Sequence, residues 1–156
     1  MCRGEDVEQL SVFSMEKTTA GSIEQVIKER NAVWSCNKTI PSWVNLDTVD
    51  LDRFYTKNDV AESLFSELKA HIEYDGISIE DCVFIEPFAG EGAFFSLLPE
   101  KCRIGLDIYP MCEEVERQDF LSWFLPDKYK QKTVVFVGNP PFGYRAWLAL
   151  AFMNHA

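Results

Sequence analysis

Apolar positions recur at helical spacing in two stretches of the first half of the chain and in short continuous runs in the second half. Ile23, Val26, Ile27, Val33 and Trp34 share one helical face, opened by a capping box over residues 22–25 and ending near Ser35. Residues 40–52, with Pro41 and several Asp and Asn, break the period and read as an extended connector. A second helix is predicted after Tyr55. Thr56 followed by Asp59 repeats the capping signature, and Val60, Ala61, Leu64, Phe65, Leu68 and Ile72 form one apolar face that ends near Asp75-Gly76. Strands then alternate with short helices. Strands are predicted at 83–86, 103–108 and 133–137, with a further short one at 115–118, helices at 93–98 before Pro99 and at 145–156, and a short helical turn at 120–125 before Pro126.

Alternating strands and helices imply parallel pairing and an α/β sheet covered on both faces. The run Thr133-Val134-Val135-Phe136-Val137 is apolar at consecutive positions, as expected of a central parallel strand. In such sheets ligands gather at the carboxyl ends of the strands, where strand order reverses. The polar and glycine-rich segments of this chain fall at those predicted strand ends. Residues 1–52 read as an N-terminal extension, one helix plus connector, and residues 53–156 as the ligand-binding part.

Composition narrows the class. A chain of 156 residues fits one domain able to bury about 70% of its unfolded surface, and 47% hydrophobic with 13% aromatic residues is a globular composition. Five scattered cysteines, Cys2, Cys36, Cys82, Cys102 and Cys112, form no CxxC pair for zinc or redox work, which predicts reduced thiols, no metal, and an intracellular, cytoplasmic or nuclear setting. Residues 1–20 hold no apolar run of signal-peptide length, and 146–152 is too short to span a bilayer, so neither secretion nor a membrane is expected. The net charge of −10 works against affinity for a polyanion, and the nearest basic cluster, Lys128 to Lys132, reads as a solvated loop.

The candidate chemistry sits in two loops. Val137-Gly138 leads into Asn139-Pro140-Pro141-Phe142, where two prolines fix their own φ and push Asn139 toward an extended conformation. The stiff loop offers the Asn139 side-chain oxygen and the Pro140 carbonyl as acceptors beside the Phe142 ring, which suits a planar ring bearing an exocyclic amine. The other loop is Glu86-Pro87-Phe88-Ala89-Gly90-Glu91-Gly92. A dinucleotide loop would need a third glycine where Phe95 stands, so the pattern is incomplete. Glu86 and Glu91 would each oppose a phosphate by up to about 4 kcal/mol at 4 Å and would favour a cation. Gly90 and Gly92 would let backbone approach the ligand. Read without a ligand, the same segment is a glycine-rich strand-to-helix turn.

Asn-Pro-Pro-Phe resembles the catalytic motif of the amino-methyltransferases that methylate an exocyclic nitrogen, chiefly N6 of adenine, with S-adenosyl-L-methionine. Further segments are similar to that family in the same order: Phe54-Tyr55-Thr56-Lys57, residues 84–92, Gly105-Leu106-Asp107 and Gln118-Asp119-Phe120. The resemblance covers residues from about 53 to 145. It implies a Rossmann-like class I methyltransferase sheet. Asn139, Pro140, Pro141 and Phe142 would be catalytic; Tyr55, Thr56, Glu86, Phe88, Gly90, Gly92, Asp107, Asp119 and Phe120 would bind the cofactor. Asp107 would accept the ribose hydroxyls, Asp119 would accept the adenine amine, the Phe120 N–H would contact the ring, and Tyr55 and Thr56 would lie over the methionine end. Other readings stay open: Asp107 as a turn former, Asp119 as a helix N-cap, and Tyr55-Thr56 as a helix entry.

Similar methyltransferases continue with about three more strands, so the resemblance implies an incomplete sheet of the first four strands with an N-terminal helical extension. On this reading the chain is a fragment or one part of a split enzyme. The implied substrate is nucleic acid, DNA or RNA, with phosphate contacts supplied by missing residues or by a protein partner that completes the sheet. The alternatives are a non-catalytic interaction module of the same fold and a methyltransferase acting on a protein glutamine amide.

Overall fold

The computed structural model describes residues 22–38, 40, 42–46, 49 and 54–156. Cys2 and Pro41 lie outside them, as do residues 47, 48 and 50–52 of the predicted connector. Among the described residues there are three α-helices, α1 (Ile23–Trp34), α2 (Asn58–Tyr74) and α3 (Trp147–His155), and four strands, β1 (Cys82–Glu86), β2 (Arg103–Asp107), β3 (Glu116–Arg117) and β4 (Thr133–Phe136). The strands form one sheet of order β3-β2-β1-β4. Every pairing is parallel: Ile85 stands opposite Ile104 and Phe136, and Leu106 opposite Glu116. The architecture is α/β with an all-parallel sheet, as the alternation of apolar runs predicts.

β1 is the strand covered on both faces, with all five residues buried and Cys82 to Ile85 fully so. The position expected for the 133–137 run is therefore taken by β1. β4 lies at one end of the strand order, and only Val134 and Val135 of its four residues are partly buried.

Helices cover both faces. On one, α2 packs Ala61, Phe65 and Ile72 against Cys82 and Phe84, together with Phe94, Phe95 and Leu98. On the other, Trp34 of α1 joins Leu106, Phe120, Leu121 and the α3 residues Trp147, Leu148, Ala151 and Phe152. The first helix thus shares a core with the end of the chain. Gly105 is required for the packing on the α2 face: a Cβ there would stand 2.7 Å from the Phe95 ring and 3.0 Å from Val115. Burial pushes the thiols of Cys82 and Cys102 up, which keeps them protonated.

Several boundaries differ from the sequence expectation for physical reasons. Ser22 caps α1 as predicted, accepting from Gln25 N–H. The buried positions of α1, however, are Val26, Arg30 and Trp34, one i, i+4 row, whereas Ile23 is exposed. α2 starts with Lys57 as N-cap and no side-chain cap, so Thr56 does not cap it. Val60 and Leu64, assigned to its apolar face, are exposed. The helix expected at 93–98 is a single 3₁₀ turn, Phe95–Leu97. The six residues between Gly92, at φ 83°, and Pro99 are too few to nucleate an α-helix, and both Phe94 and Phe95 are drawn into the core. The short helical turn expected at 120–125 is present as one 3₁₀ turn, Phe120–Ser122. The last helix begins at Trp147 rather than 145, because Arg145 and Ala146 both stand at φ 58° and break the helical path.

Candidate functional site

Three strand ends and the loops that leave them meet in one cleft. β1 delivers Glu86, β2 delivers Asp107 and the loop after β4 delivers Asn139. Because β1 is flanked by β2 on one side and β4 on the other, this is the point where strand order reverses. The cleft has two compartments. The wider, about 280 Å³, is lined by Thr56, Asn58, Glu86, Ala89, Glu91, Gly92, Ala93, Phe94 and Ser96. The narrower, about 80 Å³, is lined by Arg30, Trp34, Pro87, Asp107, Ile108, Tyr109, Asp119, Phe120, Pro141, Leu148 and Phe152. Phe54, Tyr55, Phe88, Gly90 and Asn139 border both, so the two compartments adjoin.

Glu86 is the buried titratable group of the wider compartment. It is 3% exposed, and its Oε2 is a buried oxygen with no hydrogen-bond partner. Burial pushes its carboxyl up to about 8, with the charge of Asp107 adding to the rise and a hydrogen bond from the Phe95 N–H opposing it. A buried carboxyl oxygen without a partner is costly, and a positively charged group seated in the cavity would satisfy it. The residues therefore fit a cationic ligand. Glu91, its expected companion, lines the same compartment from an exposed position.

Asp107 holds the glycine loop in place. Its Oδ2 accepts the Gly90 N–H at 2.8 Å and its Oδ1 accepts the Tyr109 N–H at 2.7 Å. Gly90 sits at φ 51°, a conformation that glycine adopts freely, and a Cβ there would lie 3.5 Å from the Tyr55 ring. Tyr55 therefore lies against the loop backbone.

Asp119 begins the Phe120–Ser122 turn as its N-cap, its Oδ1 accepting from Leu121 N–H at 3.0 Å, while its Oδ2 accepts from Trp34 Nε1–H at 2.5 Å. The carboxylate nevertheless borders the narrow compartment. Burial pushes its carboxyl up; the donors from Leu121 and Trp34 and the charges of Arg30 and His155 work against that rise. Phe120 is a core residue, its ring 4.9 Å from His155, 5.6 Å from Phe136 and 6.0 Å from Phe88.

The Asn-Pro-Pro-Phe loop contributes unevenly. The Asn139 Nδ2 donates to the Phe54 carbonyl at 3.3 Å, which leaves Oδ1 as the open acceptor. Pro141 lines the narrow compartment, while Pro140 and Phe142 line neither, and the Phe142 ring is half exposed. The structure thus gathers eleven of the thirteen sequence-predicted residues around one cleft, the exceptions being Pro140 and Phe142. It adds walls that sequence reasoning missed: Arg30, Phe54, Tyr109, Leu148 and Phe152. One signal was available for Arg30, a charge standing in the i, i+4 row between Val26 and Trp34.

Among the described residues no group of three or more His, Cys, Asp or Glu is placed to hold a metal ion, and no helix is long and apolar enough to cross a membrane. Comparison of the chain with protein-family models, curated proteins and solved structures finds no match.

Proposed function

We propose that this chain is a Rossmann-like class I methyltransferase that uses S-adenosylmethionine to methylate an exocyclic amine, chiefly N6 of adenine in nucleic acid. The observation that carries the reading is the orphaned Glu86 Oε2, buried at the end of β1 in a cavity that Asn139 also borders. When bound, S-adenosylmethionine supplies an electrophilic methyl group on a sulfonium, together with an ammonium group whose charge suits Glu86.

The chain's residues divide the work by compartment. Glu86, Tyr55, Thr56 and the loop through Gly90 and Gly92 would hold the cationic end. Asp107, Phe88, Asp119 and the Phe120 backbone would hold the nucleoside end. Asp107 already orients the loop through Gly90, so its carboxylate is presented from a fixed position.

Asn139 would activate the acceptor. An amine conjugated to a purine is a weak nucleophile because its lone pair is delocalised. The Asn139 Oδ1 and the Pro140 carbonyl would accept the two amine hydrogens and favour a pyramidal nitrogen. These hydrogen bonds strengthen as positive charge develops on nitrogen, so they favour the transition state over the ground state. Phe142, exposed beside them, would stack on the base, worth about 1–3 kcal/mol. A base within a duplex would be flipped out to reach this loop.

The net charge of −10 favours a second acceptor class, the glutamine amide of a protein, because it repels a polyanion. Calorimetry with S-adenosylmethionine, followed by transfer assays with an adenine oligonucleotide and a glutamine peptide, tests the reading. Micromolar binding and labelling of the oligonucleotide support the proposal, and labelling of the peptide alone selects the second class. Binding without transfer to either supports a non-catalytic module, and no binding overturns the cofactor assignment.

A further inference from the structure

The cofactor reading leaves α1 without a role, yet α1 and the residues just after it are tied at three points to the segment 117–121, which carries Asp119. Trp34 Nε1–H donates to Asp119 Oδ2, Asn37 Nδ2 donates to the Leu121 carbonyl at 3.2 Å, and Arg117 pairs with Glu29 at 2.9 Å. Trp34 is 3% exposed and packs edge-on against Trp147 and Phe152, with ring centroids 5.9 Å and 6.5 Å away. Arg30, equally buried, places its guanidinium 4.6 Å from the Trp34 ring centroid and bonds the Val49 carbonyl and the Asn31 side chain.

An N-cap needs only the Leu121 N–H. The second donor, from a residue 85 positions away, ties the other oxygen and fixes the plane of the carboxylate. Each oxygen of an ionised carboxylate offers two lone-pair sites, so one acceptor direction per oxygen is left after both ties are made. Burial pushes the Asp119 carboxyl up; the charged or titratable groups around it, Arg30 from α1 and His155 from α3, oppose that rise together with the two donors and favour the acceptor-only form.

We propose that Trp34 is a positioning residue for a purine amine: its indole N–H locks the Asp119 carboxylate in the orientation that accepts the 6-amino group, and α1 is thereby one wall of the ligand site. This rests on the cofactor reading above. It gives α1 a part in selecting an amino-purine over a purine that lacks the amine.

The test is Trp34→Phe, which keeps an aromatic ring among Trp147 and Phe152 and removes the N–H. Calorimetry is run with S-adenosylmethionine and with its analogue bearing hydrogen in place of the 6-amino group. Wild type is expected to prefer the amine-bearing ligand, and Trp34→Phe to lose about ten- to a hundredfold in affinity for it, the worth of one hydrogen bond to a charged group. Affinity for the analogue should stay within about threefold. Equal weakening of both ligands would assign Trp34 a packing role only and overturn the proposal, as would no change in either.

Where wild type binds neither ligand, the cofactor reading falls and this inference falls with it. Binding to wild type that the variant reproduces sinks the inference alone. Should Trp34→Phe fail to fold, the Trp34 indole ¹H–¹⁵N resonance of wild type carries the test. It is expected to shift with S-adenosylmethionine and stay still with the analogue; the same shift with both overturns the proposal.

Discussion

Asn139 and Phe54, 85 residues apart, are joined by the Asn139 side-chain N–H donating to the Phe54 carbonyl at 3.3 Å. That bond assigns the amide: nitrogen toward Phe54, oxygen toward the cleft. Asn139→Ala is expected to lower methyl transfer by at least about 10²–10³-fold, the range for removing one transition-state hydrogen-bonding group, while cofactor affinity stays within about twofold. Asn139→Asp should be no better, because a carboxylate cannot donate to the Phe54 carbonyl. Single-turnover rates set beside binding isotherms check both variants.

Glu86 makes stability and ligand binding depend on pH in opposite senses. Its carboxyl is raised from 4.5 to about 8 in the fold, so the folded state holds a proton that the unfolded chain has lost between those values. Stability is fullest below about 4.5 with respect to this group, falls as pH rises toward 8, and is flat beyond. Glu86→Gln should remove that slope and be more stable than wild type at pH 8 by on the order of 1–3 kcal/mol. Denaturant titrations at pH 6 and 8 measure the difference.

A cation seated against Glu86 requires the carboxylate, so its binding must expel the proton. S-adenosylmethionine affinity is expected to rise between pH 6 and 8. Calorimetric enthalpies measured in two buffers of different ionisation heat should differ by close to one proton per site at pH 7. In Glu86→Gln the proton release disappears and affinity drops by about tenfold or more. A pH-independent affinity would count against Glu86 as the ammonium partner.

Asp107 joins the glycine loop to the end of β2, so its removal acts on the fold and the site together. Asp107→Ala leaves the Gly90 and Tyr109 N–H groups without their acceptors and should cost about 2–3 kcal/mol in denaturant unfolding. It should also abolish measurable cofactor binding. Asp107→Asn keeps one acceptor oxygen and is expected to fall between the two.

Gly105→Ala tests the packing beneath Glu86. The new methyl would meet the Phe95 ring, which the Arg103 guanidinium covers from 4.3 Å, and the neighbours must shift. Overpacking of this kind costs about 1–3 kcal/mol, a fall of roughly 3–10 °C in Tm for a chain of this size. Because the Phe95 N–H also donates to Glu86, the variant should raise the Glu86 titration further.

The parts of this architecture that were legible from residue order are those written in local pattern. Ser22 announces α1, consecutive apolar residues announce β1, β2 and β4, and the polar loops fall at strand ends because only backbone at those ends is free of the ladder. What escaped was decided by contacts distant in sequence. Arg30 looks like an ordinary helix-surface charge until the Val49 carbonyl and the Trp34 ring enclose it. Leu148 and Phe152 read as an apolar helix face with no hint that the narrow compartment lies beneath them. The helix expected at 93–98 failed because two adjacent phenylalanines are held by tertiary packing in a segment too short to propagate a helix.

The two bonds that tie the cleft's distant walls together, Trp34 to Asp119 and Asn139 to Phe54, each span 85 positions, whereas the pairing of β1 with β2 joins residues about twenty apart. Contacts of long sequence separation carry the largest loop-closure cost and form late. During refolding the chain should therefore pass through a stage in which β1 and β2 are paired while ligand affinity is still nil. Competence to bind would then arrive in a later, slower kinetic phase than the far-ultraviolet signal of helix and sheet.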